Sequence, residues 1–310
     1  MYVPSYIALY SQGLLDERIQ QAVEMLKECR VCPRECLADR SVGELGVCRT
    51  GRRAELSSYH AHFGEEEPLV GRNGSGTIFI THCNLLCSFC QNYDISHEGR
   101  GHEASPDVLA GLMIELKIRG CHNINFVTPS HVIPQILEAL PIAIEAGLNV
   151  PLVYNSGGYD RVETLRLLDG VFDIYMPDFK FWDNAIAERF MGVKDYADRT
   201  REAVKEMHRQ VGDLVMNEEG IAQRGLLVRH LVMPEGLAGT YDIARFLAEE
   251  VSSDTYINVM GQYRPCGDAG QWPELSRPLY VEELNQAKEL ARKAGLHRLD
   301  DRRRTFVLKF

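Results

Sequence analysis

Six short apolar runs, each followed by a polar turn and a helical stretch, constrain this chain more than any other feature. They lie at residues 77–81, 123–128, 151–155, 172–176, 225–232 and 255–260. Strands that are apolar almost throughout suit a parallel sheet covered by helices. Helical periodicity fills the intervals: about 106–119, on to about 147, from Asp160, on to about 211, near 240–250 and near 281–294. Six strand–helix units predict an α/β fold, a partial (β/α)6 barrel, whose chemistry belongs at the C-terminal ends of its strands.

Upstream of this pattern, Leu15, Ile19, Ala22, Val23 and Leu26 share one face of an amphipathic helix. Cysteine-rich turns follow from Cys29 to Cys48, and residues 54–75 read as irregular or short strands. The expected organisation is an N-terminal helix and four-cysteine extension over 1–75, the barrel over 76–270, and a C-terminal helix and tail over 271–310. The 310 residues, 45% of them hydrophobic, are enough for such a unit.

Polar clusters fall at the expected strand ends. The first run leads into Thr-His-Cys-Asn-Leu-Leu-Cys-Ser-Phe-Cys-Gln-Asn, residues 81–92. Cys83, Cys87 and Cys90 can hold three irons of a cubane [4Fe–4S] cluster and leave the fourth iron open to a small molecule, which reads as catalytic. A zinc site needs a fourth ligand, for which His82 is nearest, and a ferredoxin needs a fourth cysteine. The second run ends in Thr128, Pro129, Ser130 and His131, whose hydroxyls either cap the next helix or cradle a ligand. The third ends in Asn155, Ser156, Gly157 and Gly158, where paired glycines let backbone approach a ligand or simply turn. Asp178 and Lys180 end the fourth on a common face and need either each other or a ligand. Arg229 lies inside the fifth apolar run, where it must be paired, and a nucleoside or a carboxylate would serve.

Cys29, Cys32, Cys36 and Cys48, with two, three and eleven residues between them, read as one metal site. Zinc and an auxiliary [4Fe–4S] cluster both suit that spacing. Cys121 reads as a small core residue, Cys266 as a redox thiol or an ordinary loop cysteine. His60 and His62 read as a polar surface pair, Glu65, Glu66 and Glu67 as a solvated turn, and Arg302, Arg303 and Arg304 as a solvated tail.

A net charge of −10 argues against nonspecific nucleic-acid binding. No stretch approaches the ~18 apolar residues of a membrane span, and the first residues have neither the basic start nor the apolar run of a signal peptide. A cytoplasmic protein is expected, in which close-set cysteines mean metal or catalysis rather than disulfides.

The cysteine spacing, with Phe89 before the last cysteine, resembles the signature of the radical S-adenosylmethionine superfamily. Taken with Asn155-Ser-Gly-Gly-Tyr159, Asp178-Phe-Lys180 and Arg229-His-Leu-Val-Met-Pro234, the chain is similar to the activating enzymes of glycyl radical enzymes, pyruvate formate-lyase activating enzyme above all. The segment from His62 to Pro68 and Val153 to Tyr159 resemble an uncharacterised branch of that group. The resemblance implies that the open iron chelates S-adenosylmethionine, that Asp178 and Lys180 contact its methionine part, and that Arg229 contacts its ribose or carboxylate region. Reductive cleavage would give methionine and a 5′-deoxyadenosyl radical that abstracts hydrogen. A flavodoxin- or ferredoxin-type donor would supply the electron, and a glycyl radical enzyme or a small molecule the hydrogen atom. The family's usual Gly-Gly-Glu after the second strand is replaced here, leaving Thr128 or His131 to meet the ammonium. The rival is an iron–sulfur electron carrier without radical chemistry, which has no need of Asp178, Lys180 and Arg229 beside an open iron.

Overall fold

The structure, a computed structural model, describes residues 2–300; Arg302, Arg303 and Arg304 lie outside them. Among the described residues the strands are β1 (Ala54–His62), β2 (Ser75–Ile80), β3 (His102–Ala104), β4 (Ile124–Val127), β5 (Leu152–Ser156), β6 (Ile174–Pro177), β7 (Val215–Met216), β8 (Ala222–Leu231) and β9 (Tyr256–Met260). They form one mixed sheet in the order β3-β1-β2-β4-β5-β6-β8-β7, with β9 also paired to β8. Within it β2, β4, β5, β6, β8 and β9 run parallel, and they are the six apolar runs.

Alternation explains why these runs are apolar throughout. Tyr154, Tyr175, Leu226 and Val228 enter the main core beneath the helices, while Val153, Ile174, Met176 and Leu227 enter a smaller core on the opposite face. Both faces are buried, and Asn125, beside Val153, is a polar exception whose side chain has no hydrogen-bond partner.

The helices are α1 (Ser5–Ser11), α2 (Leu14–Glu24), α3 (Glu67–Val70), α4 (Tyr93–Ser96), α5 (Pro106–Ile118), α6 (Ile133–Glu145), α7 (Val162–Leu167), α8 (Asn184–Met191), α9 (Tyr196–Val211), α10 (Thr240–Phe246) and α11 (Val281–Lys293). The long helical stretch expected before residue 211 is two helices, because Gly192 takes a left-handed φ of 62° and ends α8. Tyr6, Leu15 and Leu26 from the N-terminal segment and Ala291 and Leu296 from the C-terminal one share the main core with the strands.

Residues 54–62 depart from expectation. They form a nine-residue strand, antiparallel to β2 on one side and β3 on the other. Several of its side chains stay accessible, so Glu, Ser and His interrupt the apolar pattern by which the other strands are recognised.

Candidate functional site

β2 delivers the chain to the cysteine loop at its C-terminal end. His82 and Leu86 adopt left-handed φ values of 65° and 56°, which non-glycine residues hold only when their surroundings enforce it. Here the His82 N–H donates to the Ile95 carbonyl at 3.0 Å and the Ser88 N–H to the Phe190 carbonyl at 2.9 Å. Phe89 is buried edge-on against Phe181, with ring centroids 5.7 Å apart. Donors point at the sulfurs: the Leu85 N–H at Cys83 Sγ, 3.3 Å, and the Ser96 hydroxyl at Cys90 Sγ, 3.2 Å. Burial pushes the Cys83 and Cys87 thiols up, so metal binding must displace their protons. The His82 ring lies 3.5 Å from Glu55. Among the described residues no three Cys, His, Asp or Glu side chains converge as ligands of one ion. A cubane needs no such convergence, since each thiolate takes a different iron.

The three cysteines open onto a cavity of about 500 Å³ that Thr128, Asn155, Ser156, Asp178, Lys180 and Arg229 also line. Strand register accounts for the meeting. Phe79, Val127, Asn155 and Met176 stand side by side across four strands, and Asp178 bridges to Arg229 beyond them. Arg229 is the hub: Nε donates to Asp178 Oδ1 at 2.7 Å and Nη2 to Asn155 Oδ1 at 2.7 Å. The other Asp178 oxygen takes the Lys180 ammonium. Burial raises the Asp178 carboxyl, but Arg229 and Lys180 outweigh it and hold its pKa below the ordinary value. Burial lowers Lys180, but the Asp178 charge and hydrogen bond, with smaller contributions from Cys87 and Tyr196, together raise it above its ordinary value. All three stay ionised at neutral pH.

Two further carboxylates reach this centre. The expectation of a solvated turn fails for Glu65 and Glu66, which are only 7% and 3% exposed. Glu65 Oε2 lies 3.6 Å from Arg229 Nη1. Glu66 Oε1 accepts from Asn258 Nδ2 at 2.9 Å, while its Oε2 is buried without a hydrogen-bond partner. Three adjacent acids carry no sequence signal of burial; Glu67 stays exposed, while Glu65 meets Arg229 from β8 and Glu66 meets Asn258 from β9. Of the carboxyl groups, Asp178 and Glu65 line the cavity, beside Lys180 and Arg229.

Other expected residues take different places. His131 is fully buried and outside the cavity lining; its Nε2 meets the Thr81 carbonyl at 3.0 Å. Burial holds its pKa down to about 3, so it is a neutral core group. The Ser156 hydroxyl lines the cavity but donates to Asp160 Oδ2 at 2.6 Å. Thr128 lines the cavity from a left-handed φ of 63°. His60 and His62 do pair, ring centroids 5.4 Å apart, and His62 reaches the cavity. Cys121 is buried. Cys29, Cys32 and Cys48 are buried and Cys36 half-buried, and none of the four forms a disulfide.

A strand-end cysteine loop facing a charged pocket defines the class, and sequence comparison agrees: a profile of the Radical SAM superfamily matches residues 77–217. The chain belongs to that superfamily. It is also similar to an uncharacterized protein of Methanocaldococcus jannaschii, 36% identical over 297 residues, which span 93% of this chain and 81% of that one. Members of the superfamily generally use a [4Fe–4S] cluster and S-adenosylmethionine.

Proposed function

We propose that this protein holds a [4Fe–4S] cluster on Cys83, Cys87 and Cys90 and cleaves S-adenosylmethionine reductively for hydrogen-atom abstraction. The observation that carries this reading is the convergence of the three cysteines with the Asp178–Lys180–Arg229 network on one cavity. Cys83, Cys87 and Cys90 would hold the cluster, which when bound would supply the electron for reductive cleavage of S-adenosylmethionine to methionine and a 5′-deoxyadenosyl radical. The protein's own residues bind, orient and shield. Lys180 and Arg229 would meet the cofactor's carboxylate or ribose oxygens, and Asp178 with Glu65 would face its ammonium and sulfonium, since all four line the cavity. No group in the network needs to move a proton. Thr128 is the remaining family-implied contact to the ammonium, since His131 does not line the cavity.

The parallel strands fit a partial barrel over 76–270, with the four-cysteine segment of 1–75 and the helix of 271–310 packed against it. The four N-terminal cysteines form a second metal site, zinc or an auxiliary cluster. No described helix is long and apolar enough to cross a membrane, in keeping with a cytoplasmic enzyme served by a flavodoxin- or ferredoxin-type donor. The hydrogen donor is a glycyl radical enzyme or a small molecule.

Anaerobically reconstituted protein should change its electron paramagnetic resonance signal on adding S-adenosylmethionine, and with dithionite should form 5′-deoxyadenosine. No spectral change and no product under strong reductant would favour the electron-carrier reading instead.

A further inference from the structure

We infer that the Ser96 hydroxyl, aligned by His97, donates to the sulfur of Cys90 and so sets the reduction potential of the cluster held on Cys83, Cys87 and Cys90. This rests on the cluster proposed there and adds two positioning residues to it.

Ser96 is the last residue of α4 and is buried. Its oxygen lies 3.2 Å from Cys90 Sγ and 2.8 Å from His97 Nδ1. A hydroxyl has one hydrogen to give and two lone pairs to offer. An iron-bound thiolate can only accept, so a Ser96 lone pair turned toward it would set two electron-rich atoms against each other. One arrangement satisfies all three atoms: Nδ1–H donates to Ser96 Oγ, and the Ser96 hydrogen points at the sulfur. His97 therefore carries a hydrogen on Nδ1. A charged ring would carry one there too, so the arrangement does not depend on the ionisation of His97.

The surroundings hold that ring in place. His97 stacks on Tyr93, with centroids 4.0 Å apart and planes within 8°. The Tyr93 hydroxyl donates to Asp268 Oδ2 at 3.0 Å, and the Asp268 N–H donates to the Ser88 carbonyl at 2.7 Å. Ser88 lies between Cys87 and Cys90. Gly267 makes this approach possible: its φ is +54°, and a Cβ there would lie 2.4 Å from Tyr93 Cδ2 and 2.9 Å from the Ser88 carbonyl oxygen. The path from Ser88 through Asp268, Tyr93, His97 and Ser96 thus starts and ends on the cysteine loop, and it fixes the direction of the hydroxyl.

Hydrogen bonds to the sulfurs are among the factors that set a cluster's potential. A donor aimed at a ligand sulfur stabilises the extra negative charge of the reduced state, so it raises the potential. The Leu85 N–H at Cys83 comes from the backbone, which any residue at 85 other than proline supplies. The donor at Cys90 belongs to a side chain, and its direction depends on a second side chain. That makes it the contact through which substitution can move the potential while the cysteines stay in place.

The test is an anaerobic redox titration of the full chain, reconstituted with ferrous iron and sulfide and followed by electron paramagnetic resonance. The signal to follow is the one lost in the Cys83→Ala/Cys87→Ala/Cys90→Ala variant. Ser96→Ala should hold as much iron as wild type and shift that signal's midpoint potential more negative; Ser96→Thr, which keeps a hydroxyl, should restore it. His97→Phe keeps a ring against Tyr93 but removes the Nδ1–H, and should shift the potential the same way by less. The Ser96→Ala/His97→Phe double variant should shift no further than Ser96→Ala, because His97 acts only through Ser96. Wild-type potentials in the iron-replete single variants would overturn the inference and leave the cluster standing. If Ser96→Ala loses its iron, an unchanged potential in His97→Phe overturns it in the same way. A wild-type protein without that signal would overturn the cluster and this inference together.

Discussion

Arg229 shows how a single residue organises the site. It lies in an apolar strand, and its three nitrogens reach Asp178, Asn155 and Glu65 from three other segments. Asp178→Asn keeps the shape and removes a charge that both Lys180 and Arg229 use. Breaking one partner of a buried charged contact costs ~2–5 kcal/mol, so affinity for S-adenosylmethionine should fall tens-fold or more. Iron content should not change, because Asp178 and the cysteines sit on different strand ends. Equilibrium binding to the reconstituted protein checks this; wild-type affinity would make the pair purely structural. The grouping of Cys83, Cys87 and Cys90 was legible because all three occupy one loop. Glu65 and Glu66 were not, because their burial depends on Arg229 and Asn258, which lie far along the chain.

At the scale of elements, the six parallel strands were legible because two buried faces demand nearly continuous apolar runs. β1 escaped because only part of it is buried. Turns at the strand ends then position the chemistry. Gly158 follows β5 with a φ of +81°, and a Cβ there would lie 2.2 Å from the Asp178 carbonyl oxygen. Gly158→Ala must therefore move either β5 or the Asp178 strand end, beyond the ~1–3 kcal/mol of backbone strain. Gly220 has a similar φ, +77°, but open space around it, so Gly220→Ala should cost only ~1–2 kcal/mol. Urea unfolding of both variants measures the difference. A Gly158→Ala protein no less stable than Gly220→Ala would mean the turn yields freely.

The whole molecule carries a pH dependence that its buried histidines impose. His230 is held between the Phe179 carbonyl and the Thr240 hydroxyl, at 2.8 and 2.9 Å. Burial lowers its pKa from 6.5 to about 4, and that of His131 to about 3. Between pH 6.5 and 4 the unfolded chain binds protons that the native protein refuses, so stability is full above that window and falls as the pH drops through it. Each histidine should remove ~2 kcal/mol between pH 7 and 5. Urea midpoints of the metal-free protein at the two pH values test this, and His230→Gln should flatten the dependence. An unchanged wild-type midpoint would show that these histidines are not buried neutral.

The sequence alone determined the strand–helix alternation, the two cysteine sets and the strand ends where polar residues gather. Those features are local: a period, a spacing, a turn residue beside an apolar run. Only the tertiary structure decided which polar residues meet. Glu65 and Glu66 turn inward to Arg229 and Asn258, His131 lies outside the cavity lining, and Arg34 spans two cysteine loops. Each of these outcomes follows from the cost of leaving a buried charge or polar atom unpaired. That cost is met by whichever partner the fold brings near, and such a partner leaves no local pattern in the chain.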